Sequence, residues 1–289
     1  MKVLVVGGGG MLGHKLVEKW SSKFEIWTTV RNNFEFYENF RFLKKGNTLD
    51  KTDIADTKAV EMIFQRVKPD VVVNAVGIIK QLPSSKNVIK TLSVNSIFPH
   101  QLAELTSKYG ARLITISTDC VFGGGKGNYN ENDIPDASDL YGISKHLGEV
   151  AAENCLTLRT SIIGRELKTS HSLVEWFLSQ RGKKVRGFVN AVYSGFPTVI
   201  LAGILADIIE NHRHLSGLYH VSSDPINKFE LLRLINDAYN AQAEIEPFED
   251  FRIDRSLNSA KFRAATEFDP PEWSEMVKMM ARDNALYEN

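Results

Sequence analysis

A tyrosine and a lysine four residues apart have the types and spacing needed for proton transfer. Tyr141 and Lys145 form the pattern Tyr-x-x-x-Lys, and residues i and i+4 share one face of a helix. An ammonium group lowers the pKa of a neighbouring phenol from about 10, so that the phenol can protonate a carbonyl oxygen near neutral pH. The pair follows Thr118, which lies at the end of a buried apolar run. We therefore predict a catalytic set of Thr118, Tyr141 and Lys145, in which the Thr118 hydroxyl bonds the substrate oxygen.

A glycine-rich segment near the N-terminus has the pattern of a phosphate-binding loop. Gly7, Gly10 and Gly13 follow an apolar run at residues 3–6 and begin a helical pattern at residues 11–20. Backbone N–H groups at a helix N-terminus bind anions, and glycines let a pyrophosphate approach the backbone closely. This context predicts a dinucleotide site. The residues expected to line the pyrophosphate are Gly7, Gly10, Met11, Leu12 and Gly13.

The end of the second predicted strand, residues 26–30, indicates which dinucleotide binds. An acidic residue there hydrogen-bonds the ribose 2′-hydroxyl of NAD, whereas an arginine suits the 2′-phosphate of NADP. The chain continues with Arg31 and two asparagines, and no acidic residue precedes Glu35. Arg31 is therefore predicted to bind the 2′-phosphate. The predicted cofactor is NADP(H), with NAD(H) as the alternative.

Apolar runs alternate with amphipathic helical patterns through the first half of the chain. The predicted strands are residues 3–6, 26–30, 71–76, 113–117 and 156–159, and the predicted helices are residues 11–20, 55–67, 88–108 and 141–153. Uninterrupted apolar strands between such helices indicate a parallel sheet that is covered on both faces. The predicted fold class is α/β, a Rossmann-type doubly wound parallel sheet with a smaller C-terminal substrate-binding region.

The pattern becomes irregular and richer in aromatic residues after residue 160. We predict that residues 1–159 and about 189–215 form an NAD(P)-binding Rossmann domain, with residues 190–211 as a further helical segment. Residues 160–188 and 216–289 then form the substrate-binding region. Open α/β sheets bind ligands at the carboxyl ends of their strands, where this second region is expected.

Composition excludes several other classes of protein. Among the 289 residues, Lys+Arg and Asp+Glu are both 35, and zero net charge disfavours a sequence-independent nucleic-acid binder. Two cysteines without a C-x-x-C motif argue against a disulfide framework or a cysteine zinc site and fit a reducing compartment. His212, His214 and His220 match no familiar zinc spacing, and no apolar stretch has the length of a membrane span. We expect a cytoplasmic protein with no metal, nucleic-acid partner or membrane partner.

Several of these motifs in register resemble the extended short-chain dehydrogenase/reductase superfamily, and most closely the dTDP-4-dehydrorhamnose reductase family. The resemblance covers essentially the whole chain. The matching segments are residues 5–13, 50–53, 69–75, 116–123, 141–149 and 158–164, with a weaker match at 255–262. Members of the family bind NAD(P)H and reduce the 4-keto group of nucleotide-activated 6-deoxy sugars, whose products feed surface polysaccharides.

The resemblance implies a role for each matching residue. Thr118 would hold the sugar ketone, Tyr141 would donate the proton, and Lys145 would tune Tyr141 and hold the nicotinamide ribose. The other positions that it identifies are Asp50, at the adenine, Asn74 and Ala75, in the cofactor cleft, and Asn95, where the superfamily has a structural or proton-relay asparagine.

The segment Thr118-Asp119-Cys120 departs from the related sugar-nucleotide 4,6-dehydratases, which have glutamate at the third position. Without that general base, dehydration is disfavoured. Superfamily members that epimerise the sugar before reducing it have a cysteine at this place, and His171 is positioned in the sequence to act with it. A thiol and an imidazole can exchange the protons next to a ketone, so a bifunctional epimerase/reductase is one alternative. The predicted substrate contacts are Lys80, Thr118, Asp119, Cys120, Arg159 and Phe196.

The leading functional prediction is NADPH-dependent reduction of the 4-keto group of a nucleotide-activated 6-deoxy sugar or its 2-acetamido version. A second alternative is a non-catalytic, NADP-binding regulatory subunit. The regulatory subunit of methionine adenosyltransferase resembles the same reductase family, and a fold can outlive its activity. The expected partners are the nucleotide sugar and, as is common among similar enzymes, a second copy of the chain.

Overall fold

The structure is a computed structural model that describes residues 1–284 and 286–287. Its backbone divides into two compact units. Unit 1 comprises residues 1–117, 138–158 and 202–218, and unit 2 comprises residues 118–137 and 159–201 and the chain from Tyr219 onward.

Twelve strands and ten α-helices are present in the described residues. The strands are β1 (Lys2–Val6), β2 (Glu25–Thr29), β3 (Thr48–Leu49), β4 (Val71–Asn74), β5 (Arg112–Thr118), β6 (Cys155–Thr160), β7 (Ile162–Ile163), β8 (Lys184–Tyr193), β9 (Phe196–Pro197), β10 (Gly217–His220), β11 (Ile226–Asn227) and β12 (Glu244–Asp254). The helices are α1 (Met11–Trp20), α2 (Thr57–Val67), α3 (Val88–Leu92), α4 (Phe98–Tyr109), α5 (Leu140–Leu147), α6 (Leu173–Leu178), α7 (Thr198–Asn211), α8 (Lys228–Tyr239), α9 (Ala260–Thr266) and α10 (Trp273–Arg282).

A seven-stranded sheet has the order β10-β6-β5-β4-β1-β2-β3. Its central pairs are parallel: Val5 of β1 lies opposite Thr28 of β2 and Val73 of β4, and Val73 lies opposite Ile114 of β5. The side chains of β4 are all buried. Continuous apolar strands are stable in this position because both faces of a parallel sheet are covered. The predicted Rossmann-type fold is confirmed.

The core of unit 1 lies between this sheet and the amphipathic helices. Leu4, Val72 and Leu113, from three neighbouring strands, pack in one cluster with Phe64 of α2 and Leu102 of α4. Burial of side chains of this size contributes about 1.5–3 kcal/mol each. The apolar spacing that predicted the helices therefore corresponds to the faces that cover the sheet.

Three of the predicted helices differ from the structure. The helix predicted over residues 141–153 is α5, which ends at Leu147, so its last six predicted residues are not helical. The segment 88–108 consists of α3, a π-helical turn at Ser93–Ile97 and α4, with Pro99 in the first turn of α4, where a missing N–H breaks no helical hydrogen bond. The prediction of a helix over 190–211 is wrong for its first part, because residues 190–193 belong to β8. That strand pairs in parallel with β12, and this long-range pairing overrides the local apolar pattern.

Unit 2 contains a three-stranded sheet, β11-β8-β12, and the pair β7-β9. Its backbone pairings explain why residues 118–137 and 189–201 lie here, whereas the sequence placed them in the Rossmann domain. The Tyr129 N–H donates to Ser256 O at 2.9 Å, and the Asn258 N–H donates to Tyr129 O at 2.7 Å. Nearby, the rings of Phe122 and Tyr129 stack with centroids 4.1 Å apart.

None of the helices in the described residues combines the length and the apolar character needed to cross a membrane.

Candidate active site

The glycine loop of unit 1 is fixed to β2 and to the start of α1. The Gly7 N–H donates to Thr29 Oγ1 at 3.1 Å, and the Gly8 N–H donates to Thr29 O at 2.9 Å. Gly7 has φ of +97°, which favours glycine. A Cβ atom at Gly13 would collide with the carbonyl oxygen of Gly7. Glycine at both positions therefore lets the loop turn tightly and lets α1 approach it.

The N-terminus of α1 offers backbone donors to an anion. Gly10 is the N-cap residue, and no side chain caps the helix. The N–H groups of the first turn, at Met11, Leu12 and Gly13, have no intrahelical partner, and the helix dipole makes this end positive. Such a turn fits a pyrophosphate group, and it is the place where the sequence predicted one.

The chain after β2 folds back on the end of β3. The Asp50 carboxylate accepts a hydrogen bond of 2.9 Å from the Phe34 N–H, at the start of a 3₁₀ turn over Phe34–Tyr37. The Lys51 N–H donates to Asn32 O at 3.2 Å. Arg31 and Asp50, the predicted contacts of the 2′-phosphate and the adenine, are both exposed on this fold-back. Asp50 thus also shapes the loop that follows Arg31.

The side chain of Asn74, in the predicted cofactor cleft, is used within the sheet. Its Nδ2 donates to Thr115 Oγ1 at 3.2 Å, and its Oδ1 accepts from the Val76 N–H at 3.2 Å. The neighbouring Ala75 N–H donates to Val6 O at 3.0 Å. Both residues therefore fix the turn after β4, and their contact with a cofactor remains a prediction.

Asn95 links the loop after β4 to α5. Its Oδ1 accepts from the Ile78 N–H at 2.8 Å, and its Nδ2 lies 3.0 Å from Ser144 Oγ. A Cβ atom at Gly148 would collide with the carbonyl oxygen of Asn95. The asparagine lies in the π-helical turn and holds the helix of the Tyr-x-x-x-Lys motif in place, which fits a structural role.

Tyr141 and Lys145 both lie on α5. Asp139 caps this helix, because its carboxylate accepts a 3.0 Å hydrogen bond from the Gly142 N–H. Lys145 is buried, and its Nζ donates to Ile116 O of β5 at 2.7 Å. Tyr141 is partly exposed. The structure therefore places the two side chains one helical turn apart and anchors the lysine to the strand that ends at Thr118.

Burial governs the charge of Lys145. It lowers the pKa of this ammonium group to about 8, and the nearby Glu149 carboxylate raises the pKa in opposition. Glu149 is itself held by the Ser117 hydroxyl, which donates to it at 2.7 Å. Lys145 therefore remains charged at neutral pH. Sequence reasoning assigned no role to Glu149, although its place four residues after Lys145 put both in one predicted helix.

Lys80, a predicted substrate contact, lies beside Tyr141. Its ammonium group is 2.7 Å from a carboxylate oxygen of Asp139 and 5.6 Å from the centroid of the Tyr141 ring. The structure thus brings Lys80, Asp139 and Tyr141 together in unit 1. Sequence reasoning missed Asp139, although an aspartate just before a helical pattern is typical of an N-cap.

Thr118 is the last residue of β5 and belongs to unit 2. Its Oγ1 donates to Asp119 Oδ1 at 3.0 Å and accepts from the Cys120 N–H at 3.1 Å. Burial raises the pKa of Asp119, while hydrogen bonds from Thr118 and Cys120 and the positive charges of Arg255 and Lys228 oppose that rise. The three residues predicted at this strand end are therefore joined by hydrogen bonds.

Arg255, Lys228 and Tyr193 surround this strand end within unit 2 and were not predicted. Arg255 Nη1 lies 3.9 Å from Cys120 Sγ, and Arg255 Nε donates to the Phe122 carbonyl at 2.7 Å. Lys228 Nζ lies 4.3 Å from the centroid of the Tyr193 ring. Burial lowers the pKa of Lys228, and the charge of Asp119 raises it. No short motif links these residues to Asp119, because the fold alone brings them together.

Arg159 and Phe196, two predicted substrate contacts, have buried side chains. Arg159 Nη1 lies 3.2 Å from His220 Nε2, and its guanidinium carbon lies 5.2 Å from the centroid of the Phe122 ring. Phe196 is fully buried and packs against Phe268. Both residues stabilise the core of unit 2 in this structure, and their contact with substrate remains a prediction.

The histidines singled out from the sequence lie in different settings. The side chain of His171 is exposed, and its backbone N–H donates to a Glu166 carboxylate oxygen at 2.9 Å. The rings of His212 and His214 lie 6.0 Å apart just after α7, whereas His220 is buried in β10. Across the part of the chain that the structure describes, no group of three or more His, Cys, Asp or Glu side chains is placed to hold a metal ion.

Residues 1–285 match the protein family described as RmlD substrate binding domain. The chain belongs to this family. The resemblance to the dTDP-4-dehydrorhamnose reductase family that the motifs carry is confirmed.

Three curated relatives are similar over most of the chain. Spore coat polysaccharide biosynthesis protein SpsK of Bacillus subtilis is 30% identical, over 78% of this chain and 74% of the relative. A dTDP-4-dehydrorhamnose reductase of Aggregatibacter actinomycetemcomitans is 26% identical, over 85% and 81%. Methionine adenosyltransferase 2 subunit beta of Danio rerio is 27% identical, over 83% and 74%.

A solved structure of dTDP-4-dehydrorhamnose reductase from Bacillus anthracis, in complex with NADP, superposes with a TM-score of 0.80. The two chains are 20% identical, and the match covers 98% of this chain and 99% of that one. This likeness shows the shared fold.

Proposed function

We propose that the protein is an NADPH-dependent reductase of the 4-keto group of a nucleotide-activated 6-deoxy sugar. The observation that carries the proposal is the placement of Tyr141 on α5 one turn before a buried Lys145, whose Nζ donates a hydrogen bond to Ile116 O. The same unit contains a glycine loop that fits a pyrophosphate. The 26% identical dTDP-4-dehydrorhamnose reductase supports the reaction class.

The cofactor would supply the hydride for the keto carbon. The first-turn N–H groups of Met11, Leu12 and Gly13 would bind its pyrophosphate. Arg31, exposed after β2, would neutralise a 2′-phosphate. These residues favour NADP(H), and NAD(H) remains the alternative cofactor.

Tyr141 would complete the reduction by giving its phenolic proton to the oxygen of the former ketone. The ammonium group of Lys145 would stabilise the phenolate that this transfer leaves, since its pKa of about 8 keeps it charged at neutral pH. Thr118 would orient the same oxygen through its hydroxyl. One hydride and one proton are thus added, and the product is the 4-hydroxy sugar.

The finer identity of the substrate and the setting are also proposals. A 6-deoxy or 2-acetamido-2,6-dideoxy sugar nucleotide for surface polysaccharide synthesis is supported by the 30% identical SpsK. A cytoplasmic location is supported by two cysteines that form no disulfide.

Two other functions have a specific observation in their favour. A non-catalytic, cofactor-binding regulatory subunit is favoured by the 27% identical subunit beta of methionine adenosyltransferase 2. A bifunctional epimerase/reductase is favoured by Cys120, whose thiol adjoins Asp119 at the end of β5. Its proposed partner, His171, is exposed.

We also propose that two copies of the chain associate through an apolar surface of unit 1. Ile97 lies in the π-helical turn, and Ile143 and Leu147 lie one turn apart on α5, where they are 51%, 41% and 53% exposed. The two elements are joined by the hydrogen bond from Ser96 Oγ to Ser144 O. Burying such side chains against a second copy would remove apolar area from water.

The decisive experiment measures NADPH oxidation against a panel of 4-keto-6-deoxy sugar nucleotides. The panel varies the nucleotide (dTDP, UDP or GDP) and the 2-acetamido group. We expect turnover with at least one member and a loss of 100-fold or more in Tyr141→Phe, because the general acid is removed, with NADPH binding retained.

Other results would redirect the assignment. Undiminished turnover in Tyr141→Phe would overturn the role of Tyr141. NADPH binding without turnover across the panel would favour the regulatory subunit. Deuterium from solvent at the carbons beside the ketone would support epimerisation, and its absence would exclude it.

A further inference from the structure

The hydroxyl group of Tyr37 is a buried donor whose proton has no acceptor among the residues that the structure describes. Tyr37 ends the 3₁₀ turn after β2 and is 6% exposed. Asn32 donates to its oxygen through the side-chain amide, with Nδ2 3.5 Å from Oη. In the residues that the structure describes, no hydrogen bond takes up the phenolic proton. Burial raises the pKa of Tyr37, so the group stays protonated and able to donate.

This hydroxyl lies directly against the glycine loop. A Cβ atom at Gly9 would be 2.6 Å from Tyr37 Oη and 3.0 Å from the adjoining ring carbon. Gly9 does not have a positive φ, so its backbone conformation would accept other residues. Glycine is required here because Tyr37 fills the space that a side chain would occupy. The phenolic O–H therefore occupies the space beside the loop that a side chain at residue 9 would need.

The surroundings of Tyr37 favour a negatively charged ligand. The positive charge of Arg31 acts on the phenolic oxygen and favours negative charge there. Gly9 directly precedes Gly10, the N-cap of α1, whose first turn is the positive end of the helix dipole. The carboxylate of Asp50 bonds the N–H of Phe34 and so fixes the turn that carries Tyr37. A rigid donor, a cation and a helix N-terminus therefore meet at one place.

We propose that Tyr37 is a specificity-determining residue that donates a hydrogen bond to the 2′-phosphate of NADP(H), with Arg31 as counter-charge and Gly9 as the residue that leaves room for it. The proposal rests on the proposed cofactor. A phosphate monoester supplies charged acceptor oxygens for the unused proton. The 2′-hydroxyl of NAD(H) is neutral, so it has no charged acceptor oxygens, and it is smaller than a phosphate group, so it extends less far from the ribose. Tyr37 therefore favours NADP(H) over NAD(H) and is not required for binding the dinucleotide as such.

Replacing Tyr37 with phenylalanine tests this directly, because the change removes only the hydroxyl. We expect the Kd for NADPH to rise by about 10-fold or more, the usual size of a hydrogen bond to a charged group, and the Kd for NADH to change less than about 2-fold. Both constants are measured by titration calorimetry on the full chain. Tyr109→Phe, which removes a hydroxyl bonded to Glu61 in the same unit, serves as the matched control and should change neither.

A second variant tests the steric half of the proposal. Gly9→Ala places a methyl group 2.6 Å from Tyr37 Oη, so the tyrosine must shift. The binding of NADPH should therefore weaken selectively, and Tyr37→Phe should partly relieve the crowding in the double variant. Equal weakening of NADPH and NADH in Tyr37→Phe would make Tyr37 merely structural. An NADPH preference that persists in Tyr37→Phe would overturn this proposal alone. Wild-type protein that binds neither cofactor would overturn the proposed cofactor as well.

Discussion

Replacing Lys145 with methionine should stabilise the protein while it abolishes the proposed activity. Lys145 is 7% exposed, and burial lowers its pKa from the ordinary 10.5 to about 8. This difference corresponds to roughly 3 kcal/mol, the free energy lost by holding the ammonium group inside the folded chain at neutral pH. Loss of the hydrogen bond from Nζ to Ile116 O would remove about 1 kcal/mol of stabilisation. The expected net gain in unfolding free energy is therefore about 2 kcal/mol.

The pH dependence of this gain follows from the same pKa. Below about pH 8 the lysine is charged in both the folded and the unfolded chain, and the folded chain bears the full penalty. Between about 8 and 10.5 only the unfolded chain keeps the proton, so the stability of the wild-type protein rises with pH. The advantage of Lys145→Met should accordingly be largest near pH 7 and shrink toward pH 10.

Thermal melting of the cofactor-free protein at pH 7 and pH 10 measures this effect. A gain of about 2 kcal/mol corresponds to a rise of about 4 °C in Tm for a chain of this size. Lys58→Met is the matched control, since Lys58 is an exposed lysine on α2, and it should leave the Tm nearly unchanged. A Tm of Lys145→Met at or below that of the wild-type protein at pH 7 would refute the predicted cost of burying the charge. A difference in Tm that does not shrink at pH 10 would refute its link to the pKa of Lys145.

Two further predictions concern the proposed enzyme. The kcat/KM for reduction should fall as pH rises through about 8, because Lys145 loses its charge there. Lys145→Arg should move this fall to higher pH. If the fall stays at the same pH in this variant, another group is responsible for it. Ile97→Glu should convert the proposed dimer to a monomer, as measured by sedimentation velocity. Ile134→Glu, at another exposed apolar residue, should leave the dimer intact. A wild-type protein that sediments as a monomer would contradict the proposed association.

Local signals in the sequence predict the nucleotide-binding half of the molecule well. The glycine pattern predicts the turn between β1 and α1, and the helix Met11–Trp20 begins and ends at the predicted residues. Continuous apolar runs predict β1 and β4 because buried parallel strands need no alternation. The spacing of Tyr141 and Lys145 predicts their placement one turn apart on α5, whose N-cap, Asp139, comes two residues before the tyrosine.

Local sequence signals do not predict features that depend on contacts between residues far apart in the chain. β8 is a strand because residues of β12 pair with it, and the local sequence around Asn190 contains no signal of this pairing. Lys228 and Tyr193 lie near Asp119 only because of the fold, and the charge of Asp119 raises the pKa of both groups. The 3₁₀ turn that carries Tyr37 has no apolar periodicity, and the close approach of its hydroxyl to Gly9 is a property of three-dimensional packing.

A carboxylate and several hydrogen bonds surround the buried charge of Lys145. A buried ammonium group far from any compensating charge would lose its proton, and it could then no longer perform its proposed role of stabilising a phenolate on Tyr141. Glu149 raises the pKa of Lys145, and Ser117 holds Glu149 by a 2.7 Å hydrogen bond. The Ile116 carbonyl accepts from Nζ in addition. Burial lowers the pKa of Lys145 to about 8 against the opposing charge of Glu149, and this value is high enough for the group to be charged at neutral pH. In the proposed mechanism, the stability lost at Lys145 is therefore the consequence of burying a cation one helical turn from Tyr141, in a medium of low dielectric constant that strengthens its effect on the phenol.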